Sequence, residues 1–113
     1  MVAPKIKMKA ILHKEFGGPE VLRVSNDVEI PKIVKHEVLI KVHAAGINRP
    51  DILQRSGGYP PPPGASEILG LEVSGEIVDV GEDVNNNLLN TKVCARVPGG
   101  GYAEFVKCHT STI

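Results

Sequence analysis

The chain has 113 residues, room for one small domain and not for two. Its 13 basic and 13 acidic residues balance to a formal charge of zero, which argues against nucleic-acid binding through an overall basic field. No apolar stretch approaches the roughly 18 residues of a membrane span, and the amino end lacks the apolar core of a signal peptide, so a soluble, cytoplasmic protein with no membrane partner is expected. Cys94 and Cys108 are too few for a disulfide framework and are read as reduced thiols. Aromatic residues are limited to Phe16, Tyr59, Tyr102 and Phe105, which leaves the core to Val, Ile, Leu and Ala. Twelve glycines and nine prolines suit a β-rich chain with many tight turns better than a helical bundle.

Residues 7–13 (KMKAILH) read as a first strand, ended by the Phe16-Gly17-Gly18-Pro19 turn. Residues 21–30 read as two short strand pieces with a bend at Ser25-Asn26-Asp27, closed by Pro31. Residues 37–45 (EVLIKVHAA) are the clearest strand: Val38, Ile40, Val42 and Ala44 share one face, Lys41 and His43 the other. Asn48-Arg49-Pro50-Asp51 then has the form of a helix start, with Asn as cap and Pro in the first turn, where its missing N–H is not needed. Two helical turns follow, until Ser56-Gly57-Gly58 stops them.

Tyr59 and the four prolines after it must be extended, either as a stiff loop shaping a cleft or as an interaction ligand, and position within a small domain favours the loop. Residues 70–81 form a long strand with a bulge or bend expected at Gly75. Residues 83–90, polar and rich in asparagine, read as an exposed, tolerant loop. Residues 92–97 and 103–107 are two last strands, joined through Gly99-Gly100-Gly101. About six short strands and one small helix suggest a mainly β fold, a partly open barrel or bent sandwich.

Chemistry-bearing patterns are sparse. His13, His36, His43 and His109 match no common zinc spacing, and no C-x-x-C or H-E-x-x-H occurs. The three glycines at 99–101 lead into a strand pattern, so they are not a phosphate or dinucleotide loop. Glu72 sits in an apolar strand: it either lines the wet face with Ser74 and Glu76, or turns inward and needs Arg49 or Arg55 as a partner. Asn48 and Asp51 flank the helix start, where capping is their ordinary use. Tyr59 is a loop tyrosine whose hydroxyl is free to hydrogen-bond or to rest in water.

Several segments, in order, resemble the zinc-independent quinone oxidoreductases of the medium-chain dehydrogenase/reductase superfamily. They are Gly46-Ile47-Asn48-Arg49-Pro50-Asp51, the run from Gln54 to Ser66, Leu69-Gly70-Leu71-Glu72-Val73-Ser74-Gly75 and Gly99-Gly100-Gly101-Tyr102-Ala103-Glu104-Phe105. Met8-Lys9-Ala10-Ile11 and Gly17-Gly18-Pro19-Glu20-Val21-Leu22 add to the likeness. The resemblance implies a GroES-like β-barrel over residues 8–113, with residues 1–7 as an extension. It also implies that the Rossmann domain holding NADPH in such enzymes lies outside this chain, which would then be an amino-terminal portion.

Zinc-dependent members of that superfamily carry Cys and His at the positions of Asn48 and Leu71, and neither an amide nor an isobutyl group replaces those ligands. Their four-cysteine lobe is replaced here by the short 98–102 connection. The implied reaction is hydride transfer from NADPH to a quinone or enone without zinc, with binding and positioning carrying the catalysis. Asn48 would lie by the nicotinamide, Tyr59 by the acceptor, and Asp51 would complete the catalytic set. The place of a second tyrosine in some relatives is taken by Leu53. Glu72 matches a common carboxylate, which favours the inward, cation-paired alternative. The intact protein is expected to be a homodimer or homotetramer, and this portion alone a monomer. An enoyl or alkene reductase on the same fold, and a free-standing GroES-like binding module acting as a co-chaperonin, are the alternatives.

Overall fold

The computed structural model describes residues 7–113; six residues of the expected amino-terminal extension lie outside it, and Lys7 already belongs to the first strand. Strands β1 (Lys7–His13) and β2 (Leu22–Glu29) form an antiparallel pair. The others, β3 (Glu37–Ala45), β4 (Glu72–Val80), β5 (Lys92–Arg96) and β6 (Phe105–His109), form a second sheet in the order β5-β4-β3-β6, antiparallel throughout. Among the described residues the single α-helix, α1 (Arg49–Ser56), links β3 to β4, and short 3₁₀ turns occur at Pro19–Val21, Asn86–Leu88 and Thr110–Thr112. The fold is mainly β, as expected; among the described residues one isolated bridge, Ala10 to Ala103, ties β1 to the segment that leads into β6, and no continuous ladder closes a barrel.

The core lies on one face of the four-stranded sheet, where Val38, Ile40, Val73, Ile77, Ala95, Val97, Val106 and Cys108 pack together. Fully burying an isoleucine such as Ile40 or Ile77 is worth about 1.5–3 kcal/mol over leaving it exposed, so this face supplies the main drive to fold. Of the cysteines, Cys94 is exposed and Cys108 buried, both as free thiols; burial pushes the Cys108 thiol above its usual range.

Irregularities in the ladders decide which side chains face that core. Along β3 the pairing runs Val42 to Gly75 and then Ala44 to Ser74, leaving His43 as an extra residue. The slip reverses the alternation, so that Ala45 rather than Ala44 packs on the core. A second slip leaves Val78 unpaired in β4, between Ile40–Ile77 and Leu39–Asp79. The bulges therefore fall at His43 and Val78, not at Gly75; a Cβ at Gly75 would stand 2.1 Å from the Lys41 carbonyl oxygen, so glycine there permits close strand approach.

Three other expectations change. Residues 22–29 are one strand instead of two, because the Asn26-Asp27 bend is taken up as a bulge opposite Lys9. The last strand begins two residues late, since Ala103 bridges to β1 and Glu104 is shared between two strands: its N–H donates to the Lys9 carbonyl at 2.9 Å and its carbonyl accepts the Val42 N–H at 2.8 Å. The asparagine-rich loop is less tolerant than its composition suggests, for Val84 and Leu88 pack against the core and the Asn85 side chain accepts from the Asn87 N–H at 2.8 Å.

Candidate functional site at the β3–α1 corner

After β3 the chain turns through Gly46 and Ile47 into Asn48, whose extended backbone (φ −131°, ψ 157°) makes it the cap of α1. Asp51 lies one turn on. Its Oδ2 accepts the Asn48 N–H at 2.9 Å, and its own N–H returns to the Asn48 carbonyl at 3.0 Å. The helix ends after two turns at Gly57, which adopts a left-handed conformation. Its two buried residues are polar, Asp51 and Gln54, while Ile52 and Leu53 remain 45% and 38% exposed.

The second partner of Asp51 comes from 51 residues further along the chain: the Tyr102 phenol donates to Oδ2 at 2.5 Å. The Gly46 carbonyl is 3.3 Å from the same hydroxyl. A phenol has one proton to give, and the short charge-assisted bond to the carboxylate takes it. Burial first, and then the Asp51 hydrogen bond and charge, push the Tyr102 ionisation well above the ordinary tyrosine range, so the hydroxyl stays protonated and remains a donor. Asp51 Oδ1 and Gln54 Nε2 are buried without partners.

The glycines around Tyr102 explain how it reaches the corner. Gly70 has φ 108°, and a Cβ there would fall 2.7 Å from the Tyr102 nitrogen and 2.8 Å from the Gly101 Cα. With no side chains between them the two segments bond directly, Gly101 N–H to the Gly70 carbonyl at 3.0 Å and Tyr102 N–H to the Leu69 carbonyl at 2.9 Å. The 99–101 run thus serves backbone packing.

Glu72, at the start of β4, completes the corner from the other side. Its Oε1 accepts from Asn48 Nδ2 at 3.3 Å, and its carbonyl accepts the Gly46 N–H at 3.0 Å. A Cβ on Gly46 would lie 2.0 Å from that carboxylate oxygen, so only glycine lets it sit there. Glu72 is exposed, which corrects the inward, cation-paired expectation: its partner is an amide, and the Arg55 Nε donates instead to the Gly17 carbonyl at 3.1 Å. Alternation over the first half of β4, with Val73 and Ile77 buried, predicts this outcome.

Asn48 and Asp51 therefore come together, and Tyr59 does not join their network. Tyr59 is 44% exposed, and its hydroxyl has no hydrogen-bond partner among the described residues. The proline loop walls a groove of about 1160 Å³ against β6, but that groove includes none of the three. Two smaller hollows flank the corner. One of about 570 Å³ is lined by Ala44, Ala45, Gly46, Glu72, Cys94 and Arg96; the other, about 610 Å³ and apolar, by Ile11, Val24, Ile47, Asp51, Ile52 and Tyr102, among others. Among the described residues no three His, Cys, Asp or Glu side chains gather as a metal site would need. Tyr102 and its role at this corner escaped the sequence reading, because a contact between residues 51 positions apart leaves no local periodic signal.

The arrangement is a mainly β domain with a polar corner at the start of its helix. Residues 34–113 match the alcohol dehydrogenase GroES-like domain family, and the chain belongs to it. More particularly, the chain is 43% identical over 107 residues to the quinone oxidoreductase of Mus musculus, across 94% of this chain and 32% of that protein. It is 34% identical over 95 residues to the NADPH-dependent alkenal/one oxidoreductase of Arabidopsis thaliana chloroplasts, across 80% of this chain and 24% of that protein. The solved quinone oxidoreductase of Coxiella burnetii superimposes with a TM-score of 0.82 at 35% identity, covering 94% of this chain and 36% of the other. The chain spans about a third of the length of these quinone oxidoreductases.

Proposed function

We propose that this chain is the catalytic-domain portion of an NADPH-dependent quinone oxidoreductase that passes hydride to a quinone or related conjugated carbonyl without zinc. The observation that carries the reading is the chemistry at the corner: an amide, Asn48, and an aliphatic side chain, Leu71, stand where the resemblance puts the thiolate and imidazole of zinc-dependent members, and Asn48 is bonded instead to the Asp51 and Glu72 carboxylates. The similarity to quinone oxidoreductases over 94% of the chain supports the acceptor class, and the Arabidopsis relative's name supports the nicotinamide.

The residues present fit a nicotinamide ring. The small residues Ala44, Ala45 and Gly46 line the 570 Å³ hollow, and the Asn48 amide donates to the carboxylate of Glu72, which lines it too. A reduced nicotinamide bound there supplies the hydride. What this chain contributes is orientation: the Asn48 amide faces the ring, and the Tyr59 hydroxyl borders the acceptor and donates to its carbonyl oxygen. Asp51, 3% exposed, acts through Asn48. Leu53 offers no hydroxyl, so the acceptor is held from the Tyr59 side. We place the intact protein in the cytoplasm as a homodimer or homotetramer; no helix among the described residues is long and apolar enough to cross a membrane.

Kinetics on the intact gene product test the reading. NADPH-dependent quinone reduction should persist after exhaustive chelation, and Tyr59→Phe should lower quinone turnover more than NADPH affinity. Activity that is lost with zinc and restored by it, or tight NADPH binding by the 113-residue chain alone, overturns the proposal. The Arabidopsis similarity favours an alkene reductase as a second reading, and a panel of quinones against enals on the intact protein decides between them.

A further inference from the structure

The corner holds Asn48 from two directions, and only one hold is obvious. Glu72 takes the side-chain amide at 3.3 Å. The backbone is taken by Asp51, and Asp51 is in turn gripped by a residue outside the helix. We propose that Tyr102 is a positioning residue: its hydroxyl fixes the Asp51 carboxylate, and through it the Asn48 main chain, so that the amide meets the nicotinamide ring in one orientation.

Four features carry this. The Tyr102–Asp51 bond is short, at 2.5 Å, and joins a neutral donor to a carboxylate, the stronger class of hydrogen bond. Asp51 is 3% exposed, so loss of the phenol removes one of the few partners of a buried carboxylate. One oxygen, Oδ2, accepts both the phenol and the Asn48 N–H, so a carboxylate rotation that followed loss of the phenol would carry the Asn48 bond with it. Finally, Tyr102 is itself anchored on both sides: its N–H donates to the Leu69 carbonyl, and its carbonyl accepts the Ile11 N–H at 2.9 Å. The hydroxyl therefore projects from a clamped backbone, a firm reference point for a helix start that follows a bulged strand end.

The inference rests on the reading of Asn48 given above, and two arms keep the two claims separate. In the first, amide hydrogen exchange is followed by NMR on the 113-residue chain. Tyr102→Phe keeps the ring and removes one oxygen; Asn48 N–H protection should fall roughly tenfold, the worth of one such bond, while Ile40 and Ile77 keep theirs. Unchanged protection at Asn48, or an equal loss at all three, overturns the positioning role whatever the enzyme does. In the second arm, Tyr102→Phe, Asp51→Asn and the double variant are compared in the intact oxidoreductase. A residue acting through Asp51 should lower kcat roughly tenfold with little change in quinone KM, and the double variant should be no slower than Asp51→Asn alone. Multiplying effects, or a change confined to KM, overturn it. An intact protein without NADPH-dependent reductase activity sinks the functional reading and leaves the exchange arm to decide the structural claim.

Discussion

The four-stranded sheet and the α1 corner follow opposite rules. In the sheet the buried residues are aliphatic or thiol, and the charged ones face water. In α1 the buried residues are Asp51 and Gln54, while Ile52, Leu53 and the preceding Ile47, 81% exposed, look outward. Burying polar groups and exposing apolar ones costs stability, so a sequence keeps such an inversion where something other than folding selects it. The sheet is the scaffold, and the corner is where it spends stability on geometry.

The largest expected effect falls on the scaffold. Ile77→Ala, at a fully buried position, should destabilise the chain by about 2–5 kcal/mol in a denaturant titration; a loss under about 0.5 kcal/mol would mean the sheet is not where the stability lies. Next comes the contact between the two regions. Gly70→Ala adds a methyl against the Tyr102 and Gly101 backbone at a left-handed φ, with an expected cost of about 2–4 kcal/mol in the same measurement.

A smaller effect isolates the corner by its titration. The Tyr102 ionisation is raised in the folded chain, by burial and then by Asp51, above the tyrosine value near 10 that the unfolded chain shows. The stabilisation it brings is complete below that pH and is lost as the pH climbs toward the folded value, because the unfolded state releases its proton first. Thermal unfolding followed above about pH 10 should therefore show a steeper loss for the parent chain than for Tyr102→Phe, and parallel slopes would detach the phenol from the corner's stability. The smallest effect completes the contrast: Ile52→Ser, on the outward face of α1, should shift stability by no more than about 0.5 kcal/mol.

What was legible from residue order follows the same division. Alternation in EVLIKVHAA located β3, and Asn-Arg-Pro-Asp located the helix start, because both signals are local. The reversal at His43 was not legible, since a bulge depends on the partner strand, and neither was the fusion of residues 22–29 into one strand. Asn48 and Asp51 were picked out by their cap spacing. For Glu72 the resemblance points inward where the alternation of its own strand points outward, and Tyr102 carries no local signal because its partner lies on another element.

The close backbone contact of Gly70 with Gly101 has a consequence for how this chain tolerates change. Residues 100–102 are bonded to the backbone of 68–70, so the place of the phenol is set by that pairing. A side chain at Gly70 would press the two backbones apart and draw the hydroxyl away from the helix start. A residue that carries no chemistry of its own is in this way part of the site.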